Sequence, residues 1–264
     1  MGVHDDTGAV ITGGSQGLGL AIARRLVAEG CQRIVITSRN AAKGAAAVKE
    51  LSALGAEAHS LTIEMGDLDQ VQAMMGQAVA RIGPVNAFVN CAANTDRGSI
   101  LDTTPDQWDA IFDVNAKGAF FALQGFARHC IDAGHPGSAV NILSIVVHCG
   151  LPFLAPYAAS KAALLNVTKN SAATLAPHRI RVNGINVGWM DTPGEDATQQ
   201  KWHGRSDDWL AEAEANMPFG MLVKPEHVAA QTALLLGPDS GVVTGSVMDF
   251  DQQVVGAYPD TNDS

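Results

Sequence analysis

Short apolar, β-branched runs alternate along this chain with longer alanine-rich stretches of helical periodicity, and that alternation restricts the fold more than any other feature. Residues 9–12, 33–37, 58–63, 85–89, 139–143, 181–186 and 247–250 read as seven strands. Between them Leu18, Ile22 and Leu26 repeat at helical spacing up to Gly30, and 71–82, 106–133 and 158–176 carry helical patterns. Strands written as near-continuous apolar runs are covered on both faces, as in a parallel sheet. The alternation therefore predicts an α/β fold: a doubly wound, seven-stranded parallel sheet with helices on both faces, in a single domain over 1–264. The polar stretch 193–218, which holds Trp202 and Trp209, breaks the rhythm beyond a strand end. It reads as a lid reaching to about 220, or as a plain surface insertion.

Directly after the first strand run comes Thr12-Gly-Gly-Ser-Gln-Gly-Leu-Gly19, followed at once by the amphipathic stretch. A strand, a glycine-rich turn and a helix in that order gather backbone N–H groups at a helix N-terminus, where an anion is favoured. Gly13 permits the tight turn, Gly17 lets a pyrophosphate approach the backbone, and Gly19 permits close helix packing. After the second strand stand Ser38-Arg39-Asn40, with no carboxylate to accept from a ribose 2′-hydroxyl. Arg39 reads as a 2′-phosphate ligand or as a solvated surface arginine. The first reading favours NADP(H) over NAD(H), although Gln16 adds no second positive charge.

A second signal is Tyr157-Ala-Ala-Ser-Lys161, which on a helix puts a phenol and an ammonium on one face. A lysine charge about 4 Å from the phenol, at an effective dielectric of about 20, favours phenolate by roughly 4 kcal/mol. That lowers the tyrosine pKa by up to ~3 before burial opposes it. Ser144 follows the buried strand run 139–143, at the strand end where ligands bind in such sheets. Asn90 ends the fourth strand run. Asn115 lies inside a predicted helix, where an amide is a mediocre choice, and it points to a kink or a bound water chain.

Together these motifs resemble the short-chain dehydrogenase/reductase family along nearly the whole chain. The family's glycine turn matches 12–19, its Asn-Asn-Ala-Gly segment matches Asn90-Cys-Ala-Ala93, and its catalytic tetrad matches Asn115, Ser144, Tyr157 and Lys161. The resemblance implies a Rossmann-type fold in which Tyr157 exchanges the proton of an alcohol or carbonyl. Lys161 would lower the Tyr157 pKa and touch the nicotinamide ribose, Ser144 would orient the substrate oxygen, and Asn115 would hold a water linking Lys161 to solvent. It further implies cofactor contacts from Gly13, Ser15, Gln16, Gly17, Leu18, Gly19, Ser38, Arg39, Glu64, Met65, Asn90, Ala92, Gly188, Met190 and Thr192. Glu64 would lie beside the adenine, Asp67 would cap the next helix, and Thr192 would hold the nicotinamide amide and nearby phosphate.

The implied reaction joins a secondary alcohol and a ketone. A sugar, polyol or other small hydroxy compound is the first expectation, and a 3-oxoacyl or steroid-type ketone the alternative. A non-catalytic nucleotide-binding redox sensor is a rival of another class, but it has no use for the intact Ser144, Tyr157 and Lys161 set. Asn94, His148, Cys149, Trp189 and Trp202 are candidate substrate walls, each with ordinary packing or a plain loop as the competing reading. Asp96 could bond a polyol. Departures from the family pattern are Ala93, Leu143, Val187, Met221 and Asp251-Gln-Gln253. The resemblance also implies a homotetramer or homodimer, often formed through the helices holding Asn115 and Tyr157.

Composition narrows the partners. Lys+Arg 17 against Asp+Glu 27 gives a net charge of -10, which disfavours a nucleic-acid binder. The same charge disfavours an acidic carrier protein as bearer of the substrate. The four cysteines are widely spaced without a CxxC pair, and the eight histidines form no ligand cluster, so reduced thiols and no metal are expected. No run of 18 apolar residues occurs, and 1–6 lack the basic-then-apolar pattern of a secretion signal. A cytoplasmic protein acting on a small-molecule alcohol or carbonyl, away from membranes, is the expectation.

Overall fold

The computed structural model describes residues 2–148, 151–204 and 208–257. Seven strands form one sheet: β1 (Gly8–Ile11), β2 (Arg33–Ser38), β3 (Glu57–Thr62), β4 (Ala87–Asn90), β5 (Gly137–Ser144), β6 (Ile180–Val187) and β7 (Val247–Phe250). Their order is β3-β2-β1-β4-β5-β6-β7, and every neighbouring pair runs parallel. The strand period of two sorts the core into two layers. Ala9 and Ile11 of β1 face a cluster built with α1 (Gly17–Ala28), α2 (Ala41–Ala53) and α9 (Pro225–Leu236). Val10 between them faces the other cluster, which includes Met74 of α3 (Leu68–Ile82), Phe126 of α5 (Ala119–Ala133) and Leu175 of α6 (Ala155–Leu175). The expected doubly wound, Rossmann-type sheet with helices on both faces is what the chain forms. No helix among the described residues is long and apolar enough to cross a membrane.

Strand positions agree with the sequence reading to within about two residues, but four other stretches depart from it. Helices α2 and α9 carry no marked apolar periodicity and were not anticipated. The expected continuous helix 106–133 is broken: α4 (Pro105–Phe112) passes into a six-residue π-helical turn, Asp113–Gly118, before α5 begins. The kink expected at Asn115 is therefore a widened turn, a device frequent at functional sites. The stretch 193–218 is not a bare loop. It folds as α7 (Pro193–His203) and α8 (Trp209–Ala215), and Trp209, Ala213 and Leu222 pack there with Trp189.

Order at the ends of these elements has local causes. Asn40, Asp67 and Thr192 cap α2, α3 and α7 by accepting from the backbone N–H of Lys43, Gln70 and Glu195. Gly118 closes the π turn where a Cβ would fall on the Met65 carbonyl oxygen and within 2.9 Å of the Asp113 carbonyl oxygen. We expect Gly118→Ala to cost about 1–3 kcal/mol by overpacking. In contrast, Gly125→Ala inside α5, where the nearest atom is the Met75 Cβ at 3.6 Å, should be neutral or stabilising by up to about 1 kcal/mol. Urea unfolding midpoints of the two variants check the contrast, and equal midpoints would mean the π turn is slack.

Candidate active site

Strand order reverses between β1 and β4, and ligands bind such sheets at the carboxyl ends flanking that switch. The Thr12 hydroxyl stitches the two ends together. It donates to the Val89 carbonyl (3.3 Å) and accepts from the Cys91 and Ala92 N–H groups (3.0 and 3.1 Å). Gly13 and Gly17 adopt φ of +67° and +52°, and a Cβ on Gly19 would fall on the Gly13 carbonyl oxygen. Close packing at Gly19 is thus against the turn itself. The N-terminus of α1 has no side-chain cap and no acidic residue in its first turn, which leaves its N–H groups to an anion.

A groove at this turn is lined by Gly13, Ser15, Gln16, Gly17, Leu18, Gly19, Ser38, Arg39, Glu64, Met65 and Ala92, all expected there. Ser15 donates to Ser38 (2.9 Å), tying the turn to the end of β2. Lys43, which sequence reasoning missed, also lines the groove, with its Nζ 2.7 Å from Gln16 Oε1. The second positive charge that Gln16 lacks is therefore held by Gln16 from the first turn of α2. Two residues expected to touch the cofactor line neither this groove nor the cavity beside it. Asn90 is 3% exposed, and its amide donates to the Ala119 carbonyl (3.0 Å) and Asn141 Oδ1 (2.8 Å), locking β4 to α5 and β5. Thr192 caps α7 and faces Gly17 at 3.6 Å from a would-be Cβ, at the edge of the groove rather than on its wall.

The groove opens into a cavity of about 800 Å³ at the carboxyl ends of β5 and β6, lined by Ser144, Tyr157, Lys161, Gly188 and Met190 among others. Leu18, Cys91, Ala93, Thr95 and Glu195 line both spaces. Tyr157 is hydrogen-bonded to the Ser144 side chain. Lys161, 2% exposed, donates to the Ile142 carbonyl (2.8 Å), with its Nζ 5.8 Å from the Tyr157 ring centre. The pKa expectation for this pair fails in direction. Desolvation outweighs the Ser144 bond and the Arg97 charge and pushes Tyr157 up to about 12. Burial also lowers Lys161 to about 8, so it keeps most of its charge at neutral pH and sheds it under mildly alkaline conditions. Asn115, fully buried in the π turn, accepts from the Asn94 N–H (2.7 Å) and donates to the Asn94 carbonyl (2.9 Å) and Ser160 Oγ (3.0 Å). Its amide is thus a strut joining the loop after β4 to α6.

The cavity walls are mostly apolar: Leu151, Phe153, Leu154, Val187, Met217 and Val254 contribute. Of the candidate substrate walls, His148 and Trp189 line it. His148 Nε2 meets the Asp249 carboxylate at 2.9 Å, and Trp189 Nε1 donates to Glu195 (2.9 Å). Asn94 lies in the cofactor groove instead. Trp202 is 41% exposed beneath the Lys201 ammonium and lines neither space; Gln199 and His203 take that side of α7. Cys149 lies outside the described residues. Asp96 pairs with Lys201 (3.0 Å) rather than facing the cavity, and its neighbour Arg97, also missed, lines it and approaches Glu195 at 3.7 Å. Two departures from the family pattern acquire a role here. Gln252 accepts from the Phe219 N–H (2.9 Å) and donates to the Met221 carbonyl (2.7 Å), fastening the end of the lid.

A family model described as enoyl-(acyl carrier protein) reductase matches residues 13–252. The chain is 32% identical over 253 residues to the short-chain reductase protein NovJ of Streptomyces niveus, covering 95% of each. It is 28% identical to galactitol 2-dehydrogenase of Agrobacterium fabrum, over 92% of this chain and 95% of that one. Among solved structures, a variant of actinorhodin polyketide ketoreductase with NADPH superposes with a TM-score of 0.86 at 29% identity, covering 94% of this chain and 97% of that one.

Burial of Lys161 has a measurable sign. Between about 8 and the ordinary lysine value of 10.5 the unfolded chain holds a proton that the folded chain has released. Stability from this group is therefore fully present above 10.5 and lost as pH falls to about 8. The urea midpoint of the cofactor-free protein, minus that of Lys161→Met, should rise across this window; a flat difference would remove Lys161 as its source.

Proposed function

The chain belongs to the short-chain dehydrogenase/reductase family, and on that footing we propose that it interconverts a bulky, largely apolar ketone and its secondary alcohol, with NADP(H) preferred and NAD(H) the runner-up. The observation that carries this is the Ser144–Tyr157 hydroxyl pair at the floor of an apolar cavity that opens from the glycine-turn groove. The groove fits a dinucleotide: an uncapped helix N-terminus without acidic neighbours and two glycines at positive φ can take a pyrophosphate. A nicotinamide bound at the junction supplies the hydride chemistry.

The chain's own residues do the rest. Ser144 donates to the substrate oxygen and orients it. Tyr157, which desolvation keeps protonated even in alkaline solution, hands its proton to the oxygen as a ketone is reduced, and takes it back in the reverse direction. Lys161 and the Asn115-braced π turn stand behind Tyr157 as the route for a replacement proton, by a water held near Asn115. A single domain thus carries both groove and cavity. The apolar walls around Leu151, Phe153, Leu154, Val187, Met217 and Val254 favour a ring-bearing or acyl ketone over a polyol. That reading accords with the polyketide ketoreductase likeness. The exposed Trp108 and Phe120 on α4 and α5 support association of copies, as a tetramer or dimer.

Tyr157→Phe should lower turnover about a hundred- to ten-thousand-fold in a screen of ketones and alcohols followed by nicotinamide absorbance. Undiminished turnover would refute the proton role. For the cofactor, Arg39 and Lys43 flank the groove at the end of β2. Arg39→Ala should raise the Kd for NADPH about ten- to a hundredfold with little change for NADH, and Lys43→Ala should do so more weakly. Equal losses for both cofactors would show that neither side chain reads a phosphate.

A further inference from the structure

Four buried side-chain polar atoms among the described residues lack a hydrogen-bond partner: Asn90 Oδ1, Arg97 Nε, His135 Nε2 and Asn186 Oδ1. Of these, only Arg97 belongs to a residue lining the cavity. A guanidinium has five N–H donors in a fixed fork, and a buried donor left unpaired is costly. Here the Nη1 donates to the Thr95 carbonyl (3.2 Å), and the Nη2 stands 3.7 Å from Glu195 Oε1, beyond hydrogen-bond reach. Glu195 Oε1 is already engaged by Trp189 Nε1 (2.9 Å) and Gln199 Nε2 (2.6 Å). The Nε has nothing.

The side chain is nonetheless firmly held, with only 12% of it exposed. Its guanidinium carbon lies 5.7 Å from the centre of the Phe153 ring, and its carbonyl accepts from Gln107 Nε2 (2.6 Å). The next residue, Gly98, forms a bridge with Leu154 immediately before α6 begins. Arg97 is therefore fixed to the start of the helix that carries Tyr157, close enough that its charge acts on the Tyr157 hydroxyl, although desolvation outweighs it there. A rigid, under-used donor fork beside the proton donor is an arrangement for a ligand oxygen. The Glu195 carboxylate beside it offsets the positive charge and would repel a substrate anion.

Building on the ketone-reductase reading of this cavity, we propose that Arg97 is a specificity-determining residue: it takes a second, neutral carbonyl-type oxygen of the substrate, next to the ketone that Tyr157 and Ser144 engage. The substrate class is then an apolar ketone bearing an ester, thioester, amide or further keto oxygen, rather than a plain ketone, a polyol or a keto acid. Arg97 acts by holding that oxygen, which seats the reacting carbon over the hydroxyl pair.

The test uses three matched aryl ketones with the NADPH-loaded protein. Ethyl benzoylacetate carries the second carbonyl oxygen, hexanophenone has the same chain length without it, and 4-oxo-4-phenylbutanoate offers a carboxylate. Wild type should show kcat/KM about tenfold or more higher for the keto ester than for hexanophenone. Arg97→Met, which keeps the stem against Phe153 but has no donor, should bring the two to parity mainly through KM, and Arg97→Lys should restore part of the gap. An unchanged Kd for NADPH, read from nicotinamide fluorescence, shows that the variants are folded. A preference that survives in Arg97→Met overturns the proposal, as does parity in wild type. A preference for the keto acid that disappears in Arg97→Met overturns the neutral-oxygen assignment. Turnover of other ketones but none of these three removes the Arg97 role and leaves ketone reduction standing, whereas no turnover of any carbonyl compound removes both.

Discussion

The Thr12 hydroxyl, bonded at once to Val89, Cys91 and Ala92, is the contact on which the rest of the site depends. Parallel strands that diverge at a switch point leave their last N–H groups without a ladder partner. One side chain just after β1 satisfies two such groups just after β4 and so sets the width of the crevice. The glycine turn can then curl over the gap, because Gly13 and Gly17 adopt backbone angles that side chains resist. Groove and cavity are both consequences of that opening. The residues they share, Leu18 and Cys91 among them, sit where the two strands part.

Within the crevice, burial dominates the electrostatics. Tyr157 and Lys161 are driven in opposite directions by the same loss of water, the phenol towards keeping its proton and the ammonium towards losing it. Both shifts favour the neutral form, so the phenolate–ammonium pair is disfavoured. Asn115 contributes by geometry: the π turn carries its amide to the Asn94 backbone and the Ser160 hydroxyl, and so ties a loop of the groove to the helix of the acid.

Much of the fold was legible because parallel strands buried on both faces are written as apolar runs, and because glycine and proline mark their ends. Helix α2 was not, since its buried face is made of Gly44, Ala47 and Leu51, too small to stand out from the alanines around them. Helix α9 buries Val228, Ala229, Thr232, Ala233, Leu235 and Leu236, a spread too broad to show as a stripe. At the site, the glycine turn and the residues after β2 could be placed because their neighbours in space are neighbours in sequence. Asn90, Asn94 and Trp202 could not, since their surroundings depend on how α5 and the lid return. Arg97 and Glu195 escaped notice for the same reason: 98 residues of sequence and two strands separate them. The direction of the Tyr157 pKa was missed because charge spacing can be read from a helix, whereas the depth of burial cannot.

Helix α7 lies against the body with its charges arranged as a keyed pair. Adjacent residues of opposite sign, Asp96 and Arg97, face Lys201 and Glu195. Were the helix to dock in the reverse sense, like charge would meet like. The two contacts differ in their exposure to electrolyte: Asp96 and Lys201 are open to solvent, while Arg97 and Glu195 are largely covered. Screening acts on the open pair first. Rising ionic strength therefore loosens the contact at the far end of the helix before the one at its beginning, so salt grades the grip along the cover over the cavity.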